Sequence, residues 1–91
     1  MPIDVEHLPP RGRFQAHVDG LMCVCDYRLS GGVMHMIHTE VPAALQGRGV
    51  AAALVKAALD HARAASLKVD PQCSYVSAYM ARHPETADLL V

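Results

Sequence analysis

The sequence predicts an α+β domain with a mixed β-sheet: three antiparallel strands, a long helix, a short fourth strand and a short second helix, in the order βββαβα. Three observations predict it. From Phe14 to Val41 the chain keeps a two-residue period, broken only at Asp19-Gly20 and Gly31-Gly32, where two-residue hairpin turns fit. At Gly49 the period changes to nearly four, the mark of an amphipathic helix. The chain has 91 residues and no linker or internal repeat, so a single domain spanning 1–91 is expected, at the small end of what folds alone.

Each element has its own warrant. Residues 1–12 carry three prolines and a glycine and are expected to form a loose arm, with room for a short edge strand. The strands are expected at about Phe14–Val18, Leu21–Leu29 and Val33–Val41, with Pro42 closing the third. Connections of two residues force antiparallel neighbours. Val50, Leu54, Ala58 and Ala62 fall four apart, flanked by Ala51, Val55 and Leu59, and predict a helix ending near Ala65. Lys56 and Asp60 form an i,i+4 pair on its other side. "LKVD" is a short strand ahead of Pro71, and "SYVSAYMAR" a second helix ahead of Pro84. "ETADLLV" fits either a terminal helical turn or a last short strand. A helix between the third and fourth strands lets those two lie parallel, and a crevice can open where they diverge.

Composition narrows the function. The residues are 52% hydrophobic but only 4% aromatic, so the core is built from Ala, Val, Leu and Met. A formal charge of −1 with no basic stripe argues against nucleic acid as partner. No apolar run approaches the ~20 residues that cross a bilayer, so no membrane partner is expected. The N-terminus lacks the order of a signal peptide. An odd count of three cysteines argues against a disulfide framework and for a reducing cytoplasm. Cys23 and Cys25 share a strand face but lack a second pair, and His35 and His38 fall on opposite faces, so no metal site is expected. Met22, Met34 and Met36 fit core or sheet-face packing, and His7, His17 and His61 show no partner pattern.

"QGRGVA", Gln46 to Ala51, joins the third strand to the long helix. A helix start leaves backbone N–H groups without partners and carries partial positive charge, which suits an anion. Gly47 and Gly49 remove side chains that would block its approach, and Arg48 can add a charged contact. A tight turn alone also explains the glycines. The loop is neither a P-loop, since no Gly-Lys-Ser/Thr follows, nor a dinucleotide fingerprint, which needs a third glycine.

"QGRGVA" resembles the acyl-CoA pyrophosphate loop of the GNAT N-acetyltransferase superfamily, with Gln46, Gly49 and Ala51 in its key positions. From about Phe14 onward, "HTEVPAALQGRGVAAALVKAALDHAR" and "LKVDPQCSYVSAYMARHPE" are similar to a branch of very short, stand-alone GNAT-like acetyltransferases. The resemblance implies a minimal GNAT-like sheet, without the N-terminal strand and helices that shape the acceptor side in larger members. It also implies acetyl-CoA as cosubstrate, with the third strand at Val41 and the loop residues Gln46, Gly47, Arg48, Gly49, Val50 and Ala51 holding pantetheine and pyrophosphate. The second helix would flank the other side of the CoA.

The same resemblance places His38 and Cys73 at the active site. Cys73 stands just before the second helix, where thiol pKa falls; the alternative for it is a small buried hydrophobe. Glu40 shares a face with His38 and could orient the imidazole, bind an amine or simply be solvated. Tyr75 or Tyr79 could protonate the leaving thiolate, and Tyr79 is the one carried into the expected site. Arg82, with His83, could reach CoA phosphates or adenine, or be ordinary helix-end charge. The expected function is acetyl transfer from acetyl-CoA to an amine of a small molecule or protein, by a monomer or weak dimer. The alternatives are an acyl-CoA-binding module with little transferase activity and, more weakly, a cysteine hydrolase using Cys73 and His38.

Overall fold

The computed structural model describes residues 3–91. Five strands form one sheet in sequence order: β1 (Glu6–Leu8), β2 (Arg13–Val18), β3 (Leu21–Ser30), β4 (Val33–Glu40) and β5 (Lys68–Pro71). Two helices, α1 (Val50–Ala64) and α2 (Ser74–Arg82), follow β4 and β5. The first four strands are antiparallel neighbours, and β5 runs parallel to β4 with Val33 opposite Lys68 and Met36 opposite Pro71. The βββαβα order therefore holds, preceded by one additional short strand.

That strand lies in the arm expected to be loose. Residues 1 and 2 are outside the described residues, but Glu6–Leu8 pairs with Arg13–Gln15 across a 3-10 turn at Pro9–Arg11. His7 explains the order: its ring stacks on Phe14 at 4.0 Å, meets the edge of His61 at 4.3 Å, and hydrogen-bonds the Tyr27 hydroxyl at 2.6 Å. The β2–β3 turn has both central residues in the left-handed region, Asp19 at φ 52° and Gly20 at φ 77°. This backbone matches the twist of the flanking strands.

Alternation divides the sheet into two faces. Phe14, Ala16, Cys23, Cys25, Tyr27, Met34 and Met36 are buried together against α1 and α2. From α1 come Val50, Leu54, Val55, Ala58, Leu59 and Ala62, the face the four-residue spacing predicts, and from α2 come Val76, Tyr79 and Met80. The opposite face is polar and open, laced by Arg13–Asp26 at 2.8 Å, Gln15–Glu6 at 3.0 Å and His35–Asp70 at 2.8 Å. The C-terminal segment combines both expected forms. Pro84–Leu89 is 3-10 helix, and Leu90 then bridges Val69 in parallel.

One irregularity positions the site. Tyr27 pairs with Met36 and Asp26 with His38, so Ile37 is an extra residue in β4. Such a bulge reverses which side chains face which way. Before it the even-numbered residues Met34 and Met36 face the core; after it Thr39 takes that face opposite Cys25, and His38 and Glu40 face out.

Candidate active site

The cleft forms where β4 and β5 part. Their last link is the Cys73 N–H, which donates to the Met36 carbonyl at 2.9 Å; β4 then runs on alone while the chain turns into α2. The resulting cleft is about 530 Å³. Thr39 and Val41 of the β4 end line one wall, Leu45, Gln46, Gly47 and Gly49 of the loop another. The first turn of α1 contributes Val50, Ala51 and Ala52, and α2 contributes Tyr75 and Arg82.

The loop is built to leave its N–H groups free. After a 3-10 turn at Ala43–Leu45, Gly47 at φ 79° and Gly49 at φ 80° reverse the chain into the helix. Gly49 is the N-cap, and among the described residues no side chain caps the helix. The first regular helical bond is Ala53 N–H to Gly49 O at 3.0 Å, which leaves the N–H groups of Val50, Ala51 and Ala52 without helical acceptors. A Cβ placed on Gly47 or Gly49 would meet no atom within 4 Å, so both glycines stand beside open space. Residues and space fit a phosphate-bearing ligand.

Of the residues expected to hold such a ligand, the structure gathers Val41, Gln46, Gly47, Gly49, Val50, Ala51 and Arg82 in this one cleft. Two stand elsewhere. Arg48 is outside the cleft lining and donates to Asp19 at the β2–β3 turn, 2.6 Å distant. Tyr79 is buried, its ring stacked on His83 at 3.9 Å; it lines an adjoining hollow between α1 and α2 with Lys56 and Tyr75. Thr39, Leu45 and Ala52 line the cleft without having been expected there, and of the two tyrosines weighed it is Tyr75, not Tyr79, that lines it. Tyr75 has a sequence signal, since it is seven residues before Arg82 and so on the same helical face. Thr39 has none, because its placement depends on the bulge.

The expected Cys73–His38 pair is not formed. His38 lies on the open face and reaches Glu40 at 3.1 Å, with 53% of its side chain exposed. The residues two apart do share a face, but the bulge turns that face away from the cleft. Cys73 instead meets its neighbour Thr39: the thiol lies 3.5 Å from the Thr39 hydroxyl, which donates in turn to Cys25 Sγ at 3.8 Å. Burial pushes the Cys73 thiol up, but the Thr39 hydroxyl and the N–H groups of Val76, Tyr75 and Thr39 outweigh it, leaving the pKa below that of an ordinary cysteine. At Cys25 burial outweighs the hydrogen bond from the same Thr39 hydroxyl and raises the thiol to about 11. Neither thiol is part of the cleft lining; both meet Thr39, which is, so a thiol disposed to ionise and one held protonated stand behind that wall.

A mixed sheet split between two parallel strands, with a glycine-cornered helix start beside the split, is the fold expected of a GNAT-like acetyltransferase. The profile of the family described as GCN5-related N-acetyl-transferase matches residues 13–89, and the chain belongs to that family of acetyltransferases. Protein NATD1 of Gallus gallus is 38% identical over 86 residues, covering 91% of this chain and 78% of the relative. Protein NATD1 of Homo sapiens is likewise 38% identical over 86 residues, covering 91% of this chain and 76% of the relative. The solution structure of a GCN5-like protein from Staphylococcus aureus superposes with a TM-score of 0.78 at 24% identity, over 97% of this chain and 87% of that one, and shows the same fold. No described helix is long and apolar enough to cross a membrane.

Proposed function

We propose that the cleft binds acetyl-CoA and that the protein transfers its acetyl group to an amine, of a small molecule or of a protein. The observation that carries this is the uncapped start of α1, whose free N–H groups and two glycines with open space beside them line the cleft. Val50, Ala51 and Ala52 would supply N–H donors to the pyrophosphate, Arg82 a charge at the α2 side, and Val41 with Thr39 a wall for the pantetheine. The thioester supplies an activated acyl carbon. Cys73, beside the strand split and in contact with Thr39 of the cleft wall, would accept the acyl group transiently, tune the site as a thiolate, or serve as packing. Three free cysteines suit a reducing compartment such as the cytoplasm.

One observation favours the second reading, an acyl-CoA-binding module with little transfer: the histidine expected beside Cys73 is on the other side of the sheet. A single set of experiments tests both. Gly49→Val places a β-branched side chain in a left-handed backbone at the helix start and should weaken CoA at least about tenfold by calorimetry while the domain stays folded. Unchanged affinity in a folded variant rejects the cleft as the CoA site. With binding established, Cys73→Ala should keep CoA affinity and lose at least about tenfold in transfer across a panel of amines, about 1.4 kcal/mol in barrier. Binding without transfer by the unsubstituted protein selects the module.

A further inference from the structure

Thr39 was absent from the expected site, yet it lines the cleft and its hydroxyl bonds two thiols. We propose that Thr39, backed by the buried thiol of Cys25, is a positioning residue that holds Cys73 ready to ionise at the cleft. The catalytic use of that thiol rests on the acetyl-CoA reading above; the placement of the hydrogen bonds does not.

Hydrogen-bond bookkeeping carries the argument. With Cys73 protonated, its S–H donates to Thr39 Oγ1, and the Thr39 O–H donates to Cys25 Sγ, so every donor points inward. When Cys73 releases its proton to solvent or to a substrate group in the cleft, the sulfur becomes an acceptor only. The Thr39 hydroxyl rotates about its C–O bond to donate to that thiolate. Its oxygen is then free to accept from the Cys25 S–H, and every donor points outward. No bond between heavy atoms changes, and one proton leaves. The reversal needs Cys25 to remain a thiol throughout, and complete burial ensures this. The threonine hydroxyl can both accept and donate. Valine has the same shape and does neither.

The surroundings leave little else to govern the sulfur. From β3 it faces Cys25; from β4, the Thr39 hydroxyl and N–H; from α2, the N–H groups of Tyr75 and Val76 at the first turn. Among the described residues no ionised side chain hydrogen-bonds to Cys73, since Asp26 pairs with Arg13 on the open face and His38 with Glu40. The bulge at Ile37 is what makes the contact possible, because without it position 39 would face outward.

The test reads the thiol itself, without CoA. The rate of Cys73 alkylation by iodoacetamide is followed against pH, with mass spectrometry assigning the modified residue. Thr39→Val should move the midpoint upward by about half a pH unit or more, and Thr39→Ser should restore the original midpoint. Cys25→Ala should move it upward by less, since the hydroxyl then loses only its backing donor. Circular dichroism and CoA calorimetry on each variant separate loss of fold and loss of binding from loss of thiolate. An unchanged midpoint in folded Thr39→Val overturns the proposal. Should that variant unfold, an unchanged midpoint in Cys25→Ala together with no recovery in Thr39→Ser overturns it equally. Failure of CoA to bind the unsubstituted protein, with the midpoints shifting as stated, would reject the acetyl-CoA reading alone.

Discussion

The two ends of β4 follow the same alternation and serve opposite faces of the molecule. At its start Met34 and Met36 are completely buried under the helices, and His35 on the open face pairs with Asp70. At its end the odd-numbered Thr39 turns toward the core face and the even-numbered His38 and Glu40 turn to solvent. One inserted residue, Ile37, separates the two regimes. The first half therefore builds core and the second builds the cleft, and what distinguishes them is parity rather than composition.

The most disruptive way to break this comparison is to remove the insertion. Deleting Thr39 removes the extra residue while Glu40 keeps its place opposite Val24: Ile37 then pairs with Asp26, and His38 takes the place of Thr39, opposite buried Cys25. A histidine there must either desolvate its charge or remain neutral without a ready partner, and the Cys73–Thr39 contact is lost. The expected cost is about 3 kcal/mol or more by denaturant titration, with loss of CoA binding. A deletion variant as stable as the intact protein, with CoA affinity retained, would show that the bulge positions nothing.

This parity is also why the site was less legible than the fold. Hairpin turns, the helix from Val50 and the second helix at Ser74–Arg82 are local, and their signals are periodicity and turn chemistry in adjacent residues. The glycine loop was legible for the same reason: its residues are neighbours in the chain and in space. The pairing of Cys73 was not. A period-two strand puts positions 34, 36, 38 and 40 on one face, and no residue type in "MHMIHTE" announces that the period slips at Ile37. The arm at Glu6–Leu8 was read as loose because its prolines and glycine are visible locally, whereas His7 is anchored by Phe14, Tyr27 and His61 from three other elements.

The two faces should also answer differently to acid. His7 sits on the covered side, where burial first and the neighbouring His61 second hold its pKa below the ordinary 6.5. A histidine whose folded pKa is depressed binds fewer protons folded than unfolded. Its contribution is therefore complete above the unfolded pKa, and stability falls as pH drops below 6.5 toward the folded value. Thermal melts between about pH 7.5 and 5 should show this decline, and His7→Gln should flatten part of it. The substitution also loses the ring stack on Phe14, so its melting temperature at neutral pH should fall as well. An identical pH slope in the folded variant would mean that the arm's anchor does not titrate in this range.

The smallest effect is expected at His38, and it sharpens the comparison most. Its side chain is more than half exposed, and its hydrogen-bond partner Glu40 is 71% exposed, so the pair is open to water and salt. Exposed pairs of this kind contribute about 0–1 kcal/mol. His38→Ala should accordingly change stability by no more than about 0.5 kcal/mol and leave CoA affinity within about twofold. Because Cys73 is held through Thr39 and not through the imidazole, the pH midpoint of Cys73 alkylation should also stay where it is. The revealing measurement is then transfer. If transfer is unchanged, the histidine that resemblance placed at the active site is a surface residue here, and the bulge has taken it out of the chemistry. If transfer falls by more than about tenfold while binding and the alkylation midpoint hold, the imidazole acts on the acceptor and not on Cys73. The amine would then have to arrive from the open face, across the sheet from the CoA cleft, with Glu40 beside the imidazole to hold its orientation.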